Sequence, residues 1–93
     1  MAVVICLSPP RMTTEQYDEA IRRLEEAGLG APSERSLHLC FGPSGRLRIL
    51  TVWDRPESFE RFGQTLIPIL QELGADPGEP EIYELHKAIP GLR

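Results

Sequence analysis

Residues 2–7, Ala-Val-Val-Ile-Cys-Leu, form an unbroken apolar run rich in β-branched side chains. Successive side chains of a strand point to opposite faces, so a run like this reads as a strand covered on both sides. Ser8-Pro9-Pro10 ends it, because proline cannot donate to a ladder. The chain has 93 residues, enough for one domain over 1–93 that buries only a modest share of its surface. Covering both faces of this strand therefore invites help from a partner subunit.

The rest of the chain supplies the other elements in turn. Thr13-Thr14-Glu15-Gln16 has the form of a capping box with Thr13 as N-cap. Behind it, Tyr17, Ala20, Ile21, Leu24 and Ala27 fall at helical spacing and make one apolar stripe. Gly28 is placed to end that helix, with Leu29 folding back on its last turn. Ser36–Phe41 reads as a second strand in which Leu37, Leu39 and Phe41 alternate with His38 and Cys40. Gly42-Pro43-Ser44-Gly45 makes a hairpin loop into a third strand, Arg46–Trp53. Leu47, Ile49, Thr51 and Trp53 share one face of it, and Leu50 and Val52 lie on the other.

Asp54-Arg55-Pro56-Glu57 starts a second helix, with Asp54 as the expected cap and Pro56 tolerated in the first turn. Its core stripe is Phe59, Phe62, Leu66, Ile69, Leu70 and Leu73. Pro68 inside this pattern predicts a kink or break, because it removes the bond to the Gln64 carbonyl. Glu81–Lys87 is the expected fourth strand, and Pro90-Gly91 begins a short tail. The order is βαββαβ. The simplest closed arrangement is an α+β, ferredoxin-like fold: a four-stranded antiparallel sheet in order 4-1-3-2 with both helices on one face. The other face would then expose a patch larger than monomers usually carry, and a second copy of the same sheet is the economical cover.

Charge and cysteine usage narrow the partners. Net charge is −4 with acids and bases interspersed, and no basic stripe is present to neutralise phosphates, which argues against nucleic acid. No long apolar stretch or basic amphipathic helix suggests a membrane partner. Met1–Leu7 is too short for a secretory h-region, so the expected location is cytoplasmic. Cys6 and Cys40 form no CxxC pair and read as buried free thiols in a reducing compartment.

The segment Val52-Trp53-Asp54-Arg55-Pro56-Glu57-Ser58-Phe59-Glu60-Arg61-Phe62 resembles the strand-to-helix junction of the dimeric α+β barrel superfamily. That group includes antibiotic-biosynthesis monooxygenases, stress-responsive barrel proteins and small polyketide cyclases. The Trp, the Pro-Glu pair and the two Phe carry the resemblance. It implies two sheets packed face to face as a homodimeric barrel, with a small-molecule cavity between sheet and helices in each subunit. Three readings of function stand beside it: a small-molecule-binding barrel acting as a cofactor-free oxygenase on an aromatic or polyketide-like molecule, a cyclase or isomerase, or a non-catalytic binding or assembly protein. Haem-degrading relatives place an Asn in the cavity, and this chain contains none.

Candidate chemistry rests on few residues. His38 and His86 are the only histidines and the only side chains that titrate near neutral pH. Either is a candidate acid–base group, with Tyr17 as a third catalytic candidate; the small cyclases' late His and Tyr partner are similar to His86 and Tyr17 in rough location. Trp53, Tyr17, Phe62 and Leu66 are the candidate ligand wall. In order 4-1-3-2 the two histidines sit on opposite edge strands, about 4.8 Å apart per spacing, and no third ligand stands beside them, so no metal site is expected. No phosphate loop, GxGxxG or Ser-His-Asp arrangement calls for a cofactor or a familiar triad.

Overall fold

The computed structural model describes residues 1–91, so the tail that Pro90-Gly91 begins runs outside the described residues. Its elements are β1 (Val3–Leu7), α1 (Thr14–Glu26), β2 (Arg35–Phe41), β3 (Arg48–Trp53), α2 (Pro56–Glu72) and β4 (Glu81–Glu84). The four strands form one antiparallel sheet in the order β2-β3-β1-β4, a ferredoxin-like α+β topology. β4 is shorter than its sequence suggests. The ladder to β1 runs from Glu81 to Glu84, extended by one bond from the Leu85 amide to the Ala2 carbonyl.

Helix α1 begins and ends as its sequence dictates. The Thr13 hydroxyl accepts from the Gln16 amide at 3.1 Å, and the Gln16 carbonyl oxygen accepts from the Thr13 amide at 3.0 Å. At the far end Gly28 takes φ +80, where a side chain would be strained, and the Leu29 amide donates to the Leu24 carbonyl at 2.8 Å. Leu29 thereby packs onto the core.

Two expectations for α2 are corrected. Asp54 is not its cap. Arg55 holds the N-cap position without a side-chain bond, Pro56 follows, and Asp54 instead accepts from the Ser58 hydroxyl at 2.5 Å. Nor does Pro68 break the helix, which runs unbroken from Pro56 to Glu72. Pro68 and Gln64 both lie on the exposed side, so the carbonyl that loses its partner meets water. Meanwhile Phe62, Leu66, Ile69 and Leu70 hold the opposite side to the core.

The sheet has one covered and one open face. Val3, Ile5, Leu7, Ile49, Thr51 and Trp53 are buried under the helices. The cross-strand register puts His38 opposite Thr51 and Cys40 opposite Ile49, on that same face. It puts Leu37 opposite Val52 and Leu39 opposite Leu50, on the helix-free face. There Leu37, Leu39, Phe41 and Tyr83 are 44–57% exposed, and Val4, Leu50 and Val52 are only partly covered. Cys6 pairs with Leu50 and Cys40 with Ile49, so the two thiols sit on opposite faces of different strands and remain free.

Candidate functional site

Between the helices and the covered face lies an apolar cavity of about 50 Å³. Tyr17 and Leu24 reach it from α1, Trp53 from β3, and Phe62 and Leu66 from α2. Each is there for a plain reason. Tyr17 lies on the apolar stripe of a capped helix, and Trp53 is the last inward position of β3. Phe62 and Leu66 are one turn apart on α2. Trp53 is 1% exposed and packs on Phe59 and Phe62 with ring centroids 5.8 and 5.1 Å away. Its indole N–H donates to the Thr51 hydroxyl at 2.9 Å, which donates to the Ile5 carbonyl at 3.1 Å. The indole polar atom is therefore spent inside the core.

Two groups in the wall can move or hold a proton. Tyr17 Oη lies 2.6 Å from His38 Nε2. Burial is the main reason the phenol is pushed up to about 12, with Cys40 beside it adding to the effect. Burial, and then the nearby Arg35 cation, push the His38 imidazole down from its ordinary 6.5. Both groups are thus neutral at pH 7. His38 Nδ1 is buried and has no partner among the described residues. His86 lies elsewhere. It is exposed, beyond the end of β4, and does not line the cavity. The pairing of His86 with Tyr17 suggested by rough sequence location is not formed; His38 takes that place.

Arg35 is a cavity residue that sequence reasoning passed over. A bulge between Arg35 and Leu37 at the start of β2 turns its side chain inward. Its guanidinium lies 5.8 Å from the ring centroids of both Trp53 and Phe62, and it donates to the Gly30 carbonyl at 2.9 Å. An arginine opening a strand carries no such signal, because the inward turn depends on the bulge. A second, more open cleft of about 290 Å³ adjoins the cavity. It is bounded by Leu29, Pro32, Arg61 and Thr65 and shares the Trp53 and Phe62 wall. Among the described residues no three His, Cys, Asp or Glu side chains gather as a metal site, and no helix is long and apolar enough to cross a membrane.

Two solved structures match the chain over almost its whole length. One is a protein from Deinococcus radiodurans proposed to be an antibiotic biosynthesis monooxygenase. It is 17% identical, with TM-score 0.60 and full coverage of both chains. The other is SnoaB, a cofactor-independent oxygenase from Streptomyces nogalater. It is 14% identical, with TM-score 0.61, covering 97% of this chain and 96% of that one. The chain shares their fold. Its structural neighbours are antibiotic-biosynthesis-monooxygenase-like proteins, as the junction around Trp53 implies. No protein-family model and no curated protein sequence matches it.

Proposed function

We propose that this chain is a homodimeric, monooxygenase-like enzyme that acts without a cofactor on a small aromatic or polyketide-like molecule. The observation that carries the reading is the Tyr17–His38 pair, set in the wall of an apolar cavity in a fold shared with a cofactor-independent oxygenase. In the tautomer with hydrogen on Nε2, His38 donates to Tyr17 Oη and keeps the Nδ1 lone pair free. That lone pair takes a proton from an activated carbon of the substrate, whose carbanion is delocalised onto its own carbonyl and adds dioxygen. Tyr17 orients the imidazole, and Trp53, Phe62 and Leu66 hold the flat skeleton. The helix-free face, with Leu37, Leu39, Phe41 and Tyr83 open, supports the dimer. The free thiols Cys6 and Cys40 fit the cytoplasm.

Anthrone tests the reading, because its conversion balances with dioxygen alone: anthrone and O2 give anthraquinone and water. An oxygen electrode with quinone absorbance should show turnover above autoxidation, lost in His38→Ala. One observation favours the binding or assembly reading instead. The cavity is far below the roughly 300 Å³ that a ligand of this kind occupies, so a substrate must also take up the adjoining cleft. An intact dimer with no oxygen uptake above background would decide for that second reading.

A further inference from the structure

We propose that the ligand of this cavity is a carboxylate, an aromatic or similarly flat apolar acid whose carboxylate is held by Arg35. The inference rests on the reading of the cavity as a ligand site and adds the charge and shape of what enters it.

The arginines of this protein show why Arg35 stands apart. On α1, Arg22 is bonded to Glu19 and Glu26, and Arg23 to Glu19 and Glu72, at distances up to 3.0 Å. Those pairs lie on the solvated side of the helix, where each contributes little. Arg35 is partly buried in a wall of apolar side chains, yet among the described residues no carboxylate lies within salt-bridge reach of it. A guanidinium carries five N–H donors, and among these contacts one bond, to the Gly30 carbonyl, is made. Burying a cation without a counter-charge is unfavourable unless something offsets it. The rings of Trp53 and Phe62 do so in part, by facing the cation at 5.8 Å. Its other N–H groups have no acceptor among the described residues.

Donors without a protein partner suit one chemistry best. The fork of a guanidinium matches the two oxygens of a carboxylate, and the bond is stronger where water is thin. The neighbours favour the same ligand. His38 and Tyr17 are neutral at pH 7, so neither repels an anion, and no acidic side chain lines the cavity. The shared wall of Trp53 and Phe62 also faces the adjoining cleft, so a carboxylate at Arg35 leaves a skeleton room on either side of the rings. In a chain of net charge −4, long-range attraction does not explain an acid's binding; the local cation does.

The test uses benzoate and benzamide, equal in shape and different in charge. Trp53 is the only tryptophan, so its fluorescence reports occupancy next to Arg35, and calorimetry gives the affinity independently. Wild-type protein should bind benzoate at least about tenfold more tightly than benzamide, as expected for a charge-assisted pair. Arg35→Gln should remove that preference, weakening benzoate far more than benzamide. If Arg35→Gln does not unfold cooperatively, Arg35→Lys takes its place. It keeps the charge but not the fork, and should shrink the preference at least about threefold. Equal binding of the two probes, or a preference unchanged in the variants, overturns the carboxylate and leaves the cavity a ligand site. No response to either probe in wild-type protein overturns both.

Discussion

Tyr17 Oη and His38 Nε2 approach to 2.6 Å across the gap between α1 and β2, and this bond ties the first helix to the edge strand at the cavity. It joins a phenol that burial keeps protonated to an imidazole that burial keeps neutral. The pair therefore carries no charge at pH 7, yet it holds one exchangeable proton between two heteroatoms. The buried Nδ1 has no hydrogen-bond partner among the described residues. A neutral pair with an unused nitrogen suits proton abstraction from carbon better than recognition of charge, which falls to Arg35.

The first prediction is the titration of His38. Its midpoint, followed by NMR of the imidazole carbons, should lie below 6.5, while Arg35→Gln should move it part of the way back, since Arg35 is the lesser cause after burial. Because the folded value is depressed, the neutral ring contributes stability that is fully present above 6.5. That contribution is lost as pH falls below 6.5 through the folded value. A His38 midpoint above 6.5 contradicts the burial seen here.

The second prediction concerns Trp53. Replacing it with Phe keeps most of the apolar contact with Phe59 and Phe62 but removes the donor to Thr51. The Thr51 hydroxyl keeps its bond to Ile5, so the loss should be about 1–2 kcal/mol in urea unfolding. Trp53→Ala should lose about 3–5 kcal/mol by leaving a void in the core. Similar losses for both variants would mean that the indole N–H, not the ring, holds this corner.

The third prediction tests the helix-free face. Leu39→Lys places a charge between Leu37, Phe41 and Leu50 without touching the cavity. Light scattering at micromolar concentration should give twice the chain mass for the parent and a single chain for the variant, with the helix content retained. A parent that scatters as a monomer removes the homodimer from the proposed function.

Much of this arrangement is legible in the sequence, and the gaps have physical causes. The double apolarity of Val3–Leu7, the Thr13–Gln16 box and Gly28 are local signals, and each element they mark is present. The alternation of β2 is equally plain, but periodicity does not say which face turns inward. It is the register against β3 that sends His38 inward and Leu37, Leu39 and Phe41 outward, against the simple expectation that the apolar set is the buried one. The same limit explains the histidines: His86 sits past a strand that stops at Glu84, while His38 meets Tyr17 only through the tertiary fold. Arg35 was hidden by a bulge, which no spacing rule announces.

The last prediction is that Pro68→Ala stabilises the protein. In a helix interior proline is about 3 kcal/mol less favourable than alanine, because it lacks an N–H and its ring crowds the carbonyl four residues back. Those penalties shrink when the site is exposed, and Pro68 is. The freed Gln64 carbonyl bonds to water, and the unbroken run from Pro56 to Glu72 shows that the crowding is absorbed without ending the helix. What remains is the missing bond, so alanine should raise stability by about 1–2 kcal/mol in urea unfolding. The neighbours Leu66, Ile69 and Leu70 point to the core and should not shift. The cavity should therefore keep its lining, and binding of benzoate in Pro68→Ala should match the parent. A loss of stability would mean that the proline's fixed φ, through its effect on the unfolded chain, outweighs the missing bond. A change in benzoate affinity at unchanged stability would mean that the curvature imposed at Pro68 sets the distance between Leu66 and the sheet, and with it the width of the cavity.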